Sequence, residues 1–237
     1  FISPTNEYNT MDRLRTIIED ERSDFHFRPS QTFAQGFKKT MNQYGKQFTE
    51  IHKLILKEVP EKRDEIFPHV AGNLYTVGPL FLSLAAFYPT LMLLGNEEQI
   101  KKWKEELNDV RVIGGYAQTE IAHGSDVKSL QTTATFDPKD ATFVLNSPSV
   151  TSVKFWPGGL GIFATHIICH AKMIVKGKLY GVQSFLIQIR DLKTYEPLEG
   201  VDVGDVGMKF GNMWNDNGYL RLSNLRVPLG ALLARYI

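Results

Sequence analysis

A single cysteine, Cys169, is all that the 237 residues carry. One thiol cannot form an intramolecular disulfide, so packing and hydrogen bonds must hold the fold, and a reducing compartment suits it. Cys169 lies in the apolar run 165–174 and reads as a small buried hydrophobe. An excess of either charge is also missing: 27 basic against 26 acidic residues leave a net charge of +1. Bulk electrostatics therefore offer nucleic acid no attraction. A clean apolar run of membrane length is lacking too. The nearest, residues 74–94, contains Gly78, Pro79 and Pro89 as well as Ser83, Tyr88 and Thr90. It reads as a buried helix pair rather than a membrane span. No basic segment followed by an apolar stretch opens the chain, which begins with Phe1, so no signal peptide is visible.

Several chemistries are missing as well. No Cys pair or carboxylate accompanies His123, His166 and His170 at ligand spacing, so no metal site is expected. His166 and His170 lie in a run that reads as strand, and the pair is read as not converging. No nucleophile-elbow pattern supports a Ser–His–Asp reading. Gly-Gly-Leu-Gly at 158–161 lacks the spacing and the following helix of a dinucleotide fingerprint, and no P-loop occurs.

What the chain does contain divides near residue 110. With 43% hydrophobic and 22% charged residues it has the make-up of an ordinary globular protein. The first half carries helical periodicity. Thr10 can cap a helix presenting Met11, Leu14, Ile17 and Ile18, and Ser30 can cap the next. There Phe33, Phe37, Met41, Tyr44, Phe48, Ile51 and Ile55 form an apolar stripe that reads as bundle core, ended by Pro60. Asn96 with Gln99 is a capping box for a helix running to about Leu107, with Glu97 and Glu98 in its first turn. Asn108 and Asp109 then read as a turn.

From Arg111 the period changes to that of strands. Residues 112–117, 131–136, 143–145, 150–155, 165–175, 182–189, 203–210 and 219–225 are β-rich runs. Residues 137–140 and 176–178 read as hairpin turns. No long helical pattern separates these runs, so the sheet is expected to be mostly antiparallel. The fold class is α+β: a helical domain over residues 1–110, then a β-domain over 111–237.

Small residues, hydroxyls and one Trp gather at the strand ends. Thr119 ends a strand and can turn both hydroxyl and amide toward a ligand, or serve only as a turn former. Gly124 permits close backbone approach, and Ser125 can donate to an amide-rich ligand, while Ser125 and Asp126 equally suit a capped turn. Trp156 beside Gly158 and Gly159 makes an aromatic wall next to bare backbone, fit for a flat ring; the other reading is a hairpin turn with a buried Trp.

Together these clusters resemble the acyl-CoA oxidase family, within the wider acyl-CoA dehydrogenase superfamily. The matching stretches are Gly-Tyr-Ala-Gln-Thr-Glu at 115–120, Thr-Thr-Ala-Thr at 132–135, Asn-Ser-Pro at 146–148 and Val-Thr-Ser-Val at 150–153. They continue with Trp-Pro-Gly-Gly-Leu-Gly at 156–161, residues 207–211 with Lys209 and Phe210, and Asp-Asn-Gly-Tyr at 216–219. Asn-Ser-Pro and Trp-Pro-Gly-Gly-Leu-Gly are specific to the oxidase branch. The helical half is similar more loosely, best at 87–92. Three stretches depart from the pattern: Gly-Ser-Asp-Val at 124–127, Lys128-Ser129, and Asn-Met-Trp-Asn at 212–215.

The resemblance implies FAD, with its isoalloxazine contacted by Thr119 and Gly158, flanked by Gln118 and Trp156. It implies acyl-CoA, met by Ser125 and Asp126, and molecular oxygen as co-substrate. The products are a trans-2-enoyl-CoA and hydrogen peroxide, in fatty-acid β-oxidation in the peroxisome, from a homodimer. The catalytic base is expected to be a glutamate of a C-terminal helical bundle beyond Ile237, so no residue here is assigned as catalytic, although Glu120 is the acidic residue of the motif. The chain by itself is then expected to be inactive and to hold FAD weakly. Two other readings stay open: a dehydrogenase feeding an electron carrier, and a non-catalytic binding or assembly subunit. Gly158 favours the oxidase, because dehydrogenases typically carry Thr there and Gly leaves room for oxygen.

Overall fold

The computed structural model describes residues 82–107, 112–207, 209–211 and 215–236. The helical stripes expected between residues 10 and 60, the Asn108-Asp109 turn and the boundary near 110 lie outside them. The α+β class holds. Short helices precede nine strands, α1 (Tyr88–Leu94), α2 (Glu97–Leu107), β1 (Gly114–Ala117), β2 (Thr133–Asp137), β3 (Thr142–Asn146), β4 (Lys154–Gly158), β5 (His166–Val175), β6 (Lys178–Gln188), β7 (Val201–Asp205), β8 (Asn217–Leu222) and β9 (Leu225–Pro228).

A π-helical turn, Ser83–Phe87, feeds α1, with Pro89 in the first turn of α1, where a missing N–H does no harm. Among the described residues no helix is long and apolar enough to cross a membrane. The Asn96–Gln99 capping box forms reciprocally, at 3.0 and 2.9 Å. Gln99 also reaches across the chain: its Nε2 donates to the carbonyls of Gly230 and Leu232, and its Oε1 accepts from Ala234 N. One side chain thus caps α2 and ties the helices to the strand domain.

β5 organises the larger sheet, whose order is β1-β5-β2-β3-β9 with β6 also on β5. The first half of one β5 edge pairs with β1 and the second half with β2, both in parallel; its other edge pairs with β6 along its length, antiparallel. The remaining pairings are antiparallel, as is the smaller sheet β4-β8-β7. The hairpin turns after Asp137 and Val175 are where the turn residues place them. Three strand expectations need correction. Residues 150–152 form a single 3-10 turn closed by a Ser149–Ser152 capping box, because these hydroxyls bond local backbone in place of a ladder. β7 ends at Asp205. The run 219–225 is broken at Ser223 and Asn224, where Asn224 takes a positive φ of 53° and the chain passes from β8 into β9.

The two faces of β5 bury different things. Ile167, Cys169 and Ala171 join Phe143, Leu145, Phe185, Leu220 and Leu222 in a dry core between the sheets, so Cys169 is the buried hydrophobe expected. Ile168 faces the helices, packing with Phe87, Leu91 and Leu186. His166 and His170 share that face, because four is an even step on a strand; the reading that they do not converge is corrected here. His166 meets Trp103 of α2 edge-on and His170 meets Tyr116 of β1. Gly114 lets Phe87 pack close on β1: a Cβ there would lie 2.0 Å from the Phe87 ring.

Candidate functional site

The residues singled out at the strand ends collect where β1 runs out beside β4. Phe155 N donates to the Thr119 carbonyl at 3.1 Å, and Glu120 bridges to Lys154. Gly115 packs near the Gly158 carbonyl. Gln118, Thr119, Trp156 and Gly158 are therefore neighbours. Ser125 and Asp126 sit on a separate loop. Both are exposed on the loop leading to the 3-10 turn Val127–Ser129, and their carbonyls accept from Val127 N and Ser129 N. No histidine, cysteine or carboxylate group of metal-binding make-up occurs among the described residues.

A buried ion pair fixes the corner. The side chains of Glu120 and Lys154 are fully buried, 3.0 Å apart. Lys154 Nζ also donates to the carbonyls of Gln118 and His170, at 3.0 and 2.7 Å. Glu120 accepts from Gln131 N, Thr132 N and the Thr132 hydroxyl. Burial is the largest single influence on Glu120 and works to raise its pKa. The Lys154 charge, the Thr132 hydroxyl and the two amides outweigh it, so the carboxyl is held below its ordinary value. Glu120 is an ionised structural anchor. The ammonium donates three bonds and the carboxylate accepts four, the condition under which a buried pair is tolerated.

Trp156 is exposed, which excludes the buried-Trp reading. Its backbone has φ 67°, the left-handed region that a Trp enters only when its surroundings force it. The cause is a register shift between Phe155 and Gly158 in the β4–β8 ladder. Such a bulge re-aims a side chain. Asn217 Nδ2 holds it by donating to the Trp156 carbonyl.

The Gly-Gly-Leu-Gly turn is clamped from both sides. Asp216 accepts from Ile162 N at 2.8 Å and Phe163 N at 2.9 Å. Arg190 donates to the carbonyls of Leu160, Gly161 and Ala164. Burial, the largest influence, pushes the Asp216 carboxyl up; the two amides and Arg190 oppose this and Asp205 adds to it. The room beside Gly158, expected to be open, holds protein: a Cβ there would stand 2.7 Å from Asn215 Oδ1 and 2.9 Å from Leu82 Cδ1.

Sequence reasoning missed the Lys154 and Arg190 roles, because a lysine or arginine inside a strand-like run carries no sign of whether it is buried. It noted Asn215 only as part of a departing segment.

Comparison with known proteins identifies the family. The model of the acyl-coenzyme A oxidase N-terminal region matches residues 5–113, mostly outside the described part. Peroxisomal acyl-coenzyme A oxidase 1 of Mus musculus is 46% identical over 160 residues, covering 68% of this chain and 24% of the mouse protein. The strand half matches in space as well. Arabidopsis thaliana acyl-CoA oxidase 1 superposes with a TM-score of 0.82 at 36% identity, over 96% of this chain and 34% of that one. This chain belongs to the acyl-CoA oxidase family. Acyl-CoA oxidase-2 of Caenorhabditis elegans, solved with FAD, ascaroside-CoA and ATP, superposes with a TM-score of 0.80 at 35% identity, over 95% of this chain and 34% of that one. The chain thus spans about a quarter to a third of the length of these oxidases.

Proposed function

We propose that the protein is an FAD-dependent acyl-CoA oxidase of fatty-acid β-oxidation, acting in the peroxisome as a homodimer, and that this chain supplies its flavin and acyl-CoA faces. The division near residue 110, helical before and strand after, belongs to this reading. The observation that carries it is the corner itself: bare backbone at Gly158 and Gly159, an indole forced outward beside it, and the Gln118–Thr119 strand end alongside. A flat ring system fits such a wall, and a buried carboxamide oxygen without a partner, Asn215 Oδ1, waits at its edge.

Thr119 and Gln118 would hold the polar edge of the ring, with Gly158 and Trp156 along its face. When bound, FAD supplies the acceptor for the α and β hydrogens of an acyl-CoA and delivers them to oxygen as hydrogen peroxide, leaving a trans-2-enoyl-CoA. Ser125 and Asp126, exposed on their loop, would meet the polar arm of the thioester. The ion pair keeps the strand end rigid, since Lys154 grips the Gln118 carbonyl directly. Glu120 is fully buried and its carboxylate is tied to Lys154, Gln131 N and Thr132, out of reach of an α-proton, so the base is another residue.

The test is peroxide release by the full-length protein from palmitoyl-CoA with FAD in air. Peroxide in step with enoyl-CoA is the expected result. Reduction of an artificial electron carrier with no peroxide would point to a dehydrogenase, and neither product to a binding subunit.

A further inference from the structure

Among the described residues three buried side-chain atoms lack a hydrogen-bond partner, His170 Nε2, Asp216 Oδ1 and Asn215 Oδ1, and of these Asn215 Oδ1 is the one that lies against Gly158. The Asn215 backbone is fixed: the carbonyl accepts from Asn217 N at 2.6 Å and from Lys209 Nζ at 3.0 Å. That anchoring directs the side chain at Gly158, where Oδ1 and Nδ2 would stand 2.7 and 3.2 Å from a Cβ. Oδ1 is buried and finds no hydrogen-bond partner. A buried acceptor left unpaired is costly, and natural structures keep few of them without a reason. The apolar neighbour at the same spot, Leu82, has nothing to offer it.

We propose that Asn215 is a positioning residue for the flat cofactor ring: its carboxamide fills the place a side chain at 158 would take and hydrogen-bonds the polar edge of the ring. The inference rests on the flavin reading above and adds a residue to it. Carboxamide chemistry suits the task. One planar group offers an acceptor and two donors, matching a heteroaromatic edge on which donors and acceptors alternate. The two positions form one unit. Glycine at 158 makes room, and asparagine at 215 uses it from the opposite strand end. A substituent at 158 would displace the carboxamide, so neither residue can change freely alone.

Two replacements separate hydrogen bonding from packing. Asn215→Leu keeps nearly the same shape without polarity, and Asn215→Ala removes both. In the full-length protein, FAD affinity is read by flavin fluorescence titration, the ring's surroundings by the visible spectrum of bound flavin, and folding by the thermal midpoint of the flavin-free protein. Loss of one buried hydrogen bond predicts about tenfold weaker FAD binding in both variants. The flavin absorption bands should shift, with the flavin-free midpoint close to wild type. Weakening in Asn215→Ala with full binding in Asn215→Leu would show packing alone and overturn the proposal. So would wild-type affinity and spectrum in both. A wild-type protein that takes up no FAD would instead sink the flavin reading itself.

Discussion

The dry core of the larger sheet and the polar corner where β1 meets β4 are built on opposite principles, though Cys169 and the His170 carbonyl are neighbours on one strand. On the dry side, Ile167, Cys169 and Ala171 pack against Phe143 and Phe185, with ring centroids of the two phenylalanines 5.1 Å apart. Nothing there needs a specific partner, and shape and area decide. At the corner, Glu120, Lys154 and Arg190 are buried and matched to their partners bond for bond, and buried Asp216 holds two amides through Oδ2. Apolar packing supplies stability without direction. Buried charges add direction, because each is tolerated only in one geometry. The protein puts the second kind where β1 runs out beside β4.

The largest expected effect exploits the fact that the corner and its helix-facing edge titrate while the dry core does not. Burial holds His166 and His170 down at about 4, with Lys102 adding to the effect on the first and Lys154 on the second. Their unfolded pKa is near the ordinary 6.5. The unfolded chain therefore binds protons first, and stability is full above 6.5 and falls as pH drops toward 4. The loss is on the order of 3 kcal/mol per histidine. Glu120 adds to it as pH falls from the ordinary carboxylate value toward its own lowered one. Urea midpoints measured at stepped pH check this; a flat profile from pH 7 to 4 would refute it, and His170→Phe should flatten part of the slope.

Next comes Lys154→Met. It strands the Glu120 carboxylate and frees two carbonyls, and stability should fall by about 3–5 kcal/mol. Adding Glu120→Gln should return part of that loss. Chemical denaturation of the single and double variants gives the coupling, and strictly additive losses would mean that the corner is not the unit described here. Asp216→Ala should rank third, at about 2–3 kcal/mol, because the amides of Ile162 and Phe163 lose their acceptor. Hydrogen exchange at those two amides should quicken while exchange in β5 and β6 stays slow; uniform quickening would deny that the clamp is local. Smallest is Ile167→Val in the dry core, about 1 kcal/mol. It should leave flavin affinity in the full-length protein untouched, and a change in affinity would show that the two regions are not separable.

Much of this was legible in the chain. The strand periodicity from residue 112, the turns after Asp137 and Val175, the Asn96–Gln99 cap and the burial of Cys169 follow from local chemistry, since each depends on residues within a few positions. The family followed from Trp-Pro-Gly-Gly-Leu-Gly and its companions. The misreadings were of another kind. Residues 150–152 have β-branched side chains yet form a 3-10 turn, because Ser149 and Ser152 satisfy each other locally. For Trp156 two readings stood open, and its exposure on a bulge removes the buried one.

Sequence by itself therefore determined the α+β order and most of the strands, set by short-range periodicity and turn chemistry. Tertiary structure alone decided that Lys154 lies buried beside Glu120, 34 residues away along the chain. It also decided that β5 pairs in parallel with two different strands on one edge, and that Asn215 occupies the space beside Gly158. The reason is physical. A charged or amide side chain reads the same in solvent and in a core, and only the partners brought to it by the fold determine which it becomes.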